Sequence, residues 1–216
     1  MVIPRGSKKI TYSSEIRALK KQPFTPIQLS IIRGALLGDG CLHTAWVGTS
    51  KNYRFSKTHS VKQQRYVDWT YKHLKLFILT PPWLYEKVQS LKIRTISHPT
   101  LTILRDEFYK DRQKVLPKNI ADIMSDPLAL AVWFMDDGNI VRKNAKVVGY
   151  NLNTQSFSKK ENEHIVRIFK DVHQINFLLD KNKGKYRLGV WQKQSREAFS
   201  NLIEEYVIPS MQYKLG

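Results

Sequence analysis

Two nearly uncharged segments, each ending in an acid and a glycine, constrain this chain more than any other feature. Residues 128–135 are apolar at every position, and Asp136, Asp137 and Gly138 follow them. An upstream copy covers residues 32–40, and its Asp39 lies 98 residues before Asp137. An apolar run this short cannot cross a bilayer, which needs about 20 residues. The run must therefore be buried inside a protein core.

The residues around each segment favour a helix, although periodicity alone does not separate a buried helix from a buried strand. Ser125-Asp126-Pro127 offers a cap and then a proline for the first turn, and Gly138 is a natural stop. In the first copy Thr25-Pro26 and Gly40 supply the same signals. The sequence thus predicts two motif helices, the first over residues 26–39.

The acids stand in an unfavourable place, because a carboxylate in the last turn faces the negative end of the helix dipole. A single Asp-Gly pair is most simply a turn. Two copies in matched surroundings suggest a function instead. If the helices pack side by side, Asp39 and Asp137 meet, and like charges at that distance need a cation. Divalent hard metals take such oxygen ligands.

The two halves repeat one plan beyond the motifs. Ser60 and Ser158 each lie 21 residues after their motif acid, and each opens an amphipathic helix. We expect α-β-β-α-β-β-α in each half, an α+β fold whose antiparallel sheet carries helices on one face only. The predicted boundaries are a basic arm at 1–24, half-domains at 25–117 and 126–216, and a linker at 118–125. The other predicted elements are strands at 41–47, 53–57, 84–96, 99–105, 139–153, 175–181 and 185–192, and helices at 60–79, 106–115, from Ser158, and from Gln194 to Ile208-Pro209.

The charge of the chain indicates its partner. There are 36 basic and 18 acidic residues, a net charge of +18, and such an excess points to nucleic acid. An anionic membrane surface is the alternative, but the basic residues are not gathered on one amphipathic helix. Basic strands on an open sheet face can enter a major groove. The residues predicted to bind DNA are Arg54, Lys57, Lys92, Arg94, Arg142, Lys143, Lys146, Asn153, Lys181, Lys183, Lys185 and Arg187.

Cysteine and histidine usage narrows the chemistry. Cys41 is the single cysteine, so intrachain disulfides are excluded and a cysteine-based zinc site is not expected. The six histidines show no HExxH-type spacing. A reducing compartment fits this composition.

The two segments resemble the LAGLIDADG motifs of homing endonucleases, in the single-chain form that carries both motifs. The second copy is similar to the branch that contains the yeast mitochondrial omega-intron endonuclease. Further matching stretches are Thr80-Pro81-Pro82, Leu152-Asn153-Thr154-Gln155-Ser156-Phe157, Ile208-Pro209 and Gln212-Tyr213-Lys214-Leu215. The resemblance runs from about residue 27 to the end of the sequence.

This resemblance implies two pseudo-symmetric half-domains forming a saddle over DNA, with the motif helices packed at the interface. Asp39 and Asp137 would bind Mg²⁺, with Mn²⁺ as a substitute, and cut both strands across the minor groove to leave 3′ overhangs. The carbonyls of Gly38 and Asp136 would add metal oxygens. Lys114, Lys214 and Gln155 would act near the scissile phosphates. It further implies a monomer, a long double-stranded target, no membrane, and a mitochondrial or chloroplast origin.

Two alternatives and one departure stay open at this point. The same basic surface would serve an RNA maturase or a non-cleaving DNA-binding protein, although retention of both acids favours cleavage. The motif helices of the family pack through small residues, as Gly34 and Gly38 allow in the first copy. The second copy has Val132 and Asp136 there, so we expect Ala129 and Ala131 to help the packing and the contact to be wider or shifted.

Overall fold

The computed structural model describes residues 13–45, 51–182 and 184–216. Its contacts divide these residues into two compact units. The first unit contains the described residues up to Ile32 together with Gly40–Asp106. The second contains Arg33–Asp39 and Glu107–Gly216, so the last turns of the first motif helix group with the second motif.

The first unit builds a four-stranded antiparallel sheet whose strands lie side by side in the order Cys41–Thr44, Tyr53–Ser60, Ser90–Arg94 and Trp83–Tyr85. Thr25 and Gln28 cap the first motif helix reciprocally: the Gln28 N–H donates to Thr25 Oγ1, and the Thr25 N–H to Gln28 Oε1. The elements are α1 (Ser14–Leu19), α2 (Pro26–Leu37), β1 (Cys41–Thr44), β2 (Tyr53–Ser60), α3 (Gln64–Leu74), β3 (Trp83–Tyr85), β4 (Ser90–Arg94) and α4 (Pro99–Phe108), with 3₁₀ turns at Val61–Gln63, Lys75–Phe77 and Glu86–Val88.

The second unit repeats this sheet, with its strands in the order Gly138–Lys143, Lys146–Leu152, Lys185–Val190 and Leu178–Asn182. Asp126 caps the second motif helix by accepting from the Leu128 N–H, and Ser158 and Glu161 form a capping box. The elements are the hairpin β5 (Tyr109–Lys110) and β6 (Gln113–Lys114), α5 (Ile120–Met124), α6 (Pro127–Asp137), β7 (Gly138–Lys143), β8 (Lys146–Leu152), α7 (Lys159–His173), β9 (Leu178–Asn182), β10 (Lys185–Val190) and α8 (Lys193–Ile203), with 3₁₀ turns at Glu204–Tyr206 and Pro209–Lys214.

The α+β prediction with antiparallel sheets is confirmed, but three predicted elements are wrong. The predicted strand at 84–96 is two strands, β3 and β4, and the predicted helix at 106–115 ends at Phe108, where the hairpin β5–β6 follows. The predicted strand at 99–105 is also wrong. Residues 99–105 belong to helix α4. Pro99 fits a first turn, and the Thr100 N–H donates to His98 Nδ1 just before it. Leu101, Leu104 and Phe108 are buried at helical spacing. The run of β-branched and aliphatic types favours a strand locally, and tertiary burial of one helical face overrides it.

The predicted linker also contains structure, because residues 120–124 form the helix α5 and bury Ile120, Ile123 and Met124. Of the predicted strand at 41–47, residues 46 and 47 lie outside the described residues. Within the described part of the chain, no helix is both long and apolar enough to span a membrane.

In each unit one face of the sheet is buried and the other is open. In the first unit Phe55, Lys57 and Ile93 share the buried face, against which α3 packs. In the second unit Tyr150, Leu152, Leu188 and Val190 share the buried face under α7 and α8. Because side chains alternate along a strand, the residues between them occupy the open face.

Candidate active site

The ends of the two motif helices approach closely inside the second unit. A side chain at Gly38 would place its Cβ 2.6 Å from the Cβ of Asp136, and one at Gly34 would stand 2.9 Å from the Cβ of Val132. Glycine on α2 therefore offsets the larger residues on α6. The absence of small residues at Val132 and Asp136 is compensated from the opposite helix, so the expected wider contact does not arise. Ala129, one of the two alanines expected to help, contributes its backbone to the same contact with Gly34.

Asp136 links the two motif ends directly. Its Oδ2 accepts a hydrogen bond of 3.2 Å from the backbone N–H of Asp39. Asp39 lies just beyond the end of α2 and is exposed, whereas Asp137 is in the last turn of α6 and is half-buried. The structure thus brings Asp39, Asp136 and Asp137 into one acidic group.

The Asp137 carboxyl is strongly perturbed. Burial, followed by the nearby charges of Asp39 and Asp136, raises the pKa of Asp137 to about 7, although Lys114 and Lys214 act in the opposite direction. A carboxylate that is desolvated beside like charges gains from a cation. This group of carboxylate oxygens fits a hard divalent metal such as Mg²⁺.

The two predicted lysines reach the two motif ends. Lys114 Nζ donates to the Gly38 carbonyl over 2.6 Å. Lys214 Nζ donates to the carbonyls of Met135, over 2.6 Å, and Asp136, over 3.1 Å. Both ammonium groups therefore sit where a helix terminates and its carbonyls lack intrahelical partners. They contact the same Gly38 and Asp136 carbonyls that the resemblance proposes as metal ligands.

A polar chain extends from Asp137 along the second sheet. The backbone N–H and the Nδ2 of Asn153 both donate to the Asp137 carbonyl, over 3.0 and 2.8 Å. Asn153 Nδ2 also contacts Asn139 Oδ1, and Gln155 Nε2 donates to Asn153 Oδ1 over 3.4 Å. Gln155 is thus connected to the acid through Asn153.

The open face of the first sheet is cationic. Arg94 pairs with Ser56 on the neighbouring strand, Arg54 lies two residues before Ser56 on β2, and Lys92 pairs with Thr58 and Trp83. Arg54 Nε donates to His43 Nδ1, and the Arg94 guanidinium lies 5.1 Å from the Trp83 ring centre. Partial burial, then the charges of Arg54, Lys92 and Arg94, lower the pKa of His43. This surface carries the charge that a phosphate backbone attracts.

The second sheet presents a different set of predicted residues. Lys185 and Arg187 lie two residues apart on β10, so both are on the open face, where Arg187 forms an ion pair of 3.9 Å with Asp180. Arg142, Lys143 and Lys146 are exposed at the far end of the β7–β8 hairpin, whose turn residues Asn144 and Ala145 have positive φ. Lys183 lies outside the described residues.

Two of the predicted DNA-binding lysines do not lie on an open face, and the burial of Lys57 corrects the prediction for that residue. Lys57 is 3% exposed on the covered face of the first sheet, and its Nζ donates to Tyr66 Oη over 2.7 Å. Lys181 pairs with Tyr186 and shares the face of Leu188, although its own side chain is exposed. Counting basic residues along a strand does not reveal which of the two faces each one joins.

Comparison with known proteins decides the family. The model of the LAGLIDADG DNA endonuclease family matches residues 29–197, well over half of the chain. The chain belongs to the LAGLIDADG DNA endonuclease family. Membership makes it a nuclease, a hydrolase of phosphodiester bonds, and confirms the resemblance seen in the motifs.

Similar proteins include both nucleases and maturases. The chain is 29% identical to "Probable intron-encoded endonuclease 1" of Wickerhamomyces canadensis, covering 94% of this chain and 90% of that protein. It is 28% identical to "Cytochrome b mRNA maturase bI2" of Saccharomyces cerevisiae, covering 87% of this chain but 47% of the maturase. The structure of the homing endonuclease I-WcaI bound to its DNA recognition sequence superposes with a TM-score of 0.83 at 24% identity, covering 99% of this chain and 95% of that chain. This likeness shows the LAGLIDADG fold.

Sequence reasoning missed some contacts in this LAGLIDADG site. It assigned Asp136 a metal-binding carbonyl and did not foresee that the carboxylate contacts the Asp39 N–H. The signal was the Asp136-Asp137 doublet, which stands where the first copy has Gly38-Asp39. It also missed Asn139, whose Oδ1 accepts from Asn153 Nδ2, and Trp191, whose ring lies against Gly149 and Gly189 on the second sheet. Two glycines in neighbouring strands, Gly149 and Gly189, were a signal of close packing on the sheet.

Proposed function

We propose that this chain is a site-specific, divalent-metal-dependent endonuclease that cuts both strands of a long DNA target. The observation that carries this proposal is the meeting of Asp39, Asp136 and Asp137 with Lys114 and Lys214. Three acids in one group are unfavourable for a protein that only binds nucleic acid. They are expected where metal ions must be held against a phosphate.

The proposed roles follow from the contacts. Bound Mg²⁺, or Mn²⁺ in its place, would activate water and neutralise charge on the phosphate. Asp39 and Asp137 would hold the metal, and the Asp136 carboxylate fixes the Asp39 backbone by accepting a hydrogen bond from the Asp39 N–H. A carbonyl oxygen has two lone pairs, so the lysine contacts at Gly38 and Asp136 still leave room for a metal bond. Lys114 and Lys214 would stabilise negative charge in the transition state.

Strand assignment and positioning complete the mechanism. One acid serves each strand, and cutting across the minor groove would leave 3′ overhangs. Asn153 holds the Asp137 carbonyl and connects it to Gln155, which we place near the scissile phosphates.

The duplex would lie along the open sheet faces. Direct contacts with bases and phosphates are proposed for Arg54, Lys92, Arg94, Asn153, Lys185 and Arg187, with Arg142, Lys143 and Lys146 at the hairpin end. Electrostatic attraction to phosphates suits a net charge of +18. We further propose that the chain acts as a monomer, because it carries both motifs, and that its gene lies in an organellar intron.

RNA maturation is a second candidate function. The relative named as a cytochrome b mRNA maturase supports it. Because a basic surface attracts both nucleic acids, the discriminating property is metal-dependent cutting. A maturase would increase splicing of its intron whether or not both acids were present.

Cleavage of DNA by the purified chain tests the proposal. Targets are selected from a random duplex library in excess Mg²⁺, and the selected site is placed in a supercoiled plasmid. We expect linear product with 3′ overhangs at one site, and none in EDTA. The Asp39→Asn/Asp137→Asn double variant controls for contaminating nuclease.

Two results would reject the nuclease proposal. One is tight, sequence-specific DNA binding without any cutting in Mg²⁺ or Mn²⁺. The other is equal cutting by the double-acid variant. If the chain instead accelerates splicing of an intron RNA without cutting DNA, the maturase hypothesis replaces it.

A further inference from the structure

The open face of the second sheet is occupied at its centre by an indole. Gly149 on β8 and Gly189 on β10 lie beneath Trp191, which follows β10. A Cβ at Gly189 would stand 2.8 Å from atoms of the Trp191 ring, and one at Gly149 would overlap it more severely. Glycine weakens the interior of a strand, so both glycines are best explained by the space that this ring needs.

A polar side chain on the same face, that of Asn151, is buried rather than exposed to solvent. Asn151 is the cross-strand partner of Gly189 and lies on the open face, yet it is 1% exposed. Its Oδ1 has no hydrogen-bond partner among the residues that the structure describes. Asparagine is well suited to pair with adenine in a major groove, and here its amide is not presented for such a contact.

The surface that remains is apolar at its centre and basic at its border. Leu178 pairs with Gly189 and is 54% exposed, and Val141 pairs with Gly149 on the other side. Lys185 and Arg187 stand on the same face, where Arg187 pairs with Asp180 at 3.9 Å. An apolar strip bordered by cations suits a duplex, because the cations attract phosphates while thymine methyl groups make apolar contacts with side chains.

We propose that Trp191 is a specificity-determining residue of the second sheet, which selects thymine by apolar contact between its indole and the C5-methyl group. The inference rests on the proposed binding of DNA by this face. It assigns the second sheet a different mode of base recognition from the first, whose open face carries Arg54, Lys92 and Arg94. Trp191 acts in the ground-state contact with the bases and has no role in the chemistry at Asp39 and Asp137.

Selection of bound duplexes from a fully randomised library tests this role. It compares the wild type with Trp191→Ala, Trp191→Phe and a matched control, Trp83→Ala, which removes the tryptophan on the open face of the first sheet. Thermal unfolding of each variant confirms that it is folded. Because selection is by binding, cleavage of the same duplexes by the wild type is scored separately.

We expect the wild type to select T·A pairs at one or two neighbouring positions of one half-site. Trp191→Ala should reduce that preference about 10-fold, in the range of a single base-pair mismatch, and leave the other positions unchanged. Trp191→Phe should retain most of it, and Trp83→Ala should leave it intact.

An unchanged base preference in folded Trp191→Ala, or an equal loss at every position, would overturn the inference and leave the ring a structural cover. If the wild type binds specific duplexes without cutting them, the nuclease proposal fails while the Trp191 test stands. If the wild type cuts specifically and Trp191→Ala keeps the same base preference, the Trp191 inference fails while the nuclease proposal stands. A wild type that selects no duplex would overturn both.

Discussion

The two motif ends carry the same acid in different surroundings. Helix α2 stops at Leu37, and Asp39 follows in an exposed position, whereas α6 continues through Asp137 and keeps it half-buried. The pKa of Asp137 is raised to about 7, with burial as the first cause. The residue before each acid accounts for part of this difference. Asp136 adds a third carboxylate on one side, while Gly38 on the other side lets the helices approach. A repeated motif therefore does not imply two equivalent half-sites.

Among the changes that test this comparison of the two motif ends, removing either acid should have the largest effect on cleavage. Asp39→Asn and Asp137→Asn keep the side-chain size and remove the metal-binding charge. We expect each to lower double-strand cleavage by roughly 10³-fold or more, a loss comparable to that of a principal electrostatic group, while DNA affinity stays within a few-fold. Linear and nicked plasmid products, resolved on a gel, measure the effect.

The strand that is nicked in each variant shows which strand each acid serves. If each acid serves one strand, the two variants should nick opposite strands, which sequencing of the nick ends detects. Full double-strand cutting by either variant would rule out its assignment as an essential metal ligand.

Removal of a lysine should have the second-largest effect on cleavage, and the effect should differ between Lys114 and Lys214. Lys214→Met removes an ammonium from two carbonyls at the end of α6, and Lys114→Met removes one from the Gly38 carbonyl. We expect single-turnover cleavage to fall about 100-fold and about 10-fold, respectively, as for removal of a charge-stabilising donor. Lys118→Met, at an exposed lysine nearby, is the control.

Thermal unfolding separates the two roles that these lysines could have. A helix-capping role lowers the melting temperature and leaves the rate of the folded enzyme intact. Equal melting temperatures with slower cleavage indicate a role in the reaction. Cleavage at the wild-type rate in both variants would contradict the proposed charge stabilisation.

The raised pKa of Asp137 makes a prediction about stability without metal. The folded protein holds a proton that the unfolded chain releases near the ordinary value of 3.8. This contribution to stability is fully present below pH 3.8 and is lost as the pH rises through about 7. At pH 8 Asp137→Asn should therefore be more stable than the wild type in EDTA, by on the order of 2–4 kcal/mol, and equally stable at pH 4.

Urea unfolding at both pH values measures this difference. Asp171→Asn, at an exposed acid on α7, removes the same charge away from the site and should show no such dependence. Adding Mg²⁺ at pH 8 should stabilise the wild type and not Asp137→Asn. A wild type whose stability does not change between pH 4 and pH 8 relative to Asp137→Asn would show that the carboxyl is not perturbed.

The smallest effect concerns the two faces of the first sheet. Arg94→Ala removes a cation from the open face and should reduce the slope of log affinity against log salt by about one. Lys57→Met removes a buried cation that contacts Tyr66, so it should alter unfolding and leave the salt slope unchanged. Fluorescence anisotropy with a labelled duplex at several salt concentrations measures both. Equal slopes for the two variants would remove the distinction between the faces.

Residues 99–105 and Lys57 show why part of the structure escaped prediction. Both errors come from patterns that are ambiguous along the chain: a run of Thr, Ile and Leu, and a basic residue in a strand. In the fold, Leu101, Leu104 and Phe108 are buried on one side of α4, and Lys57 pairs with Ile93 on the covered face. Which face a residue joins depends on strand register and on the elements packed above it.

The sequence by itself determined the positions of the motif helices and of their caps, because capping and helix termination are interactions over a few residues. The two acids were predicted from their repeated surroundings, and Lys114 and Lys214 only from the resemblance to the family. Only the tertiary structure decided that the Asp136 carboxylate reaches the Asp39 N–H, that Asp137 is desolvated, and that Trp191 lies across Gly149 and Gly189. These features join residues from different elements, so their energies depend on distance and burial in the folded chain.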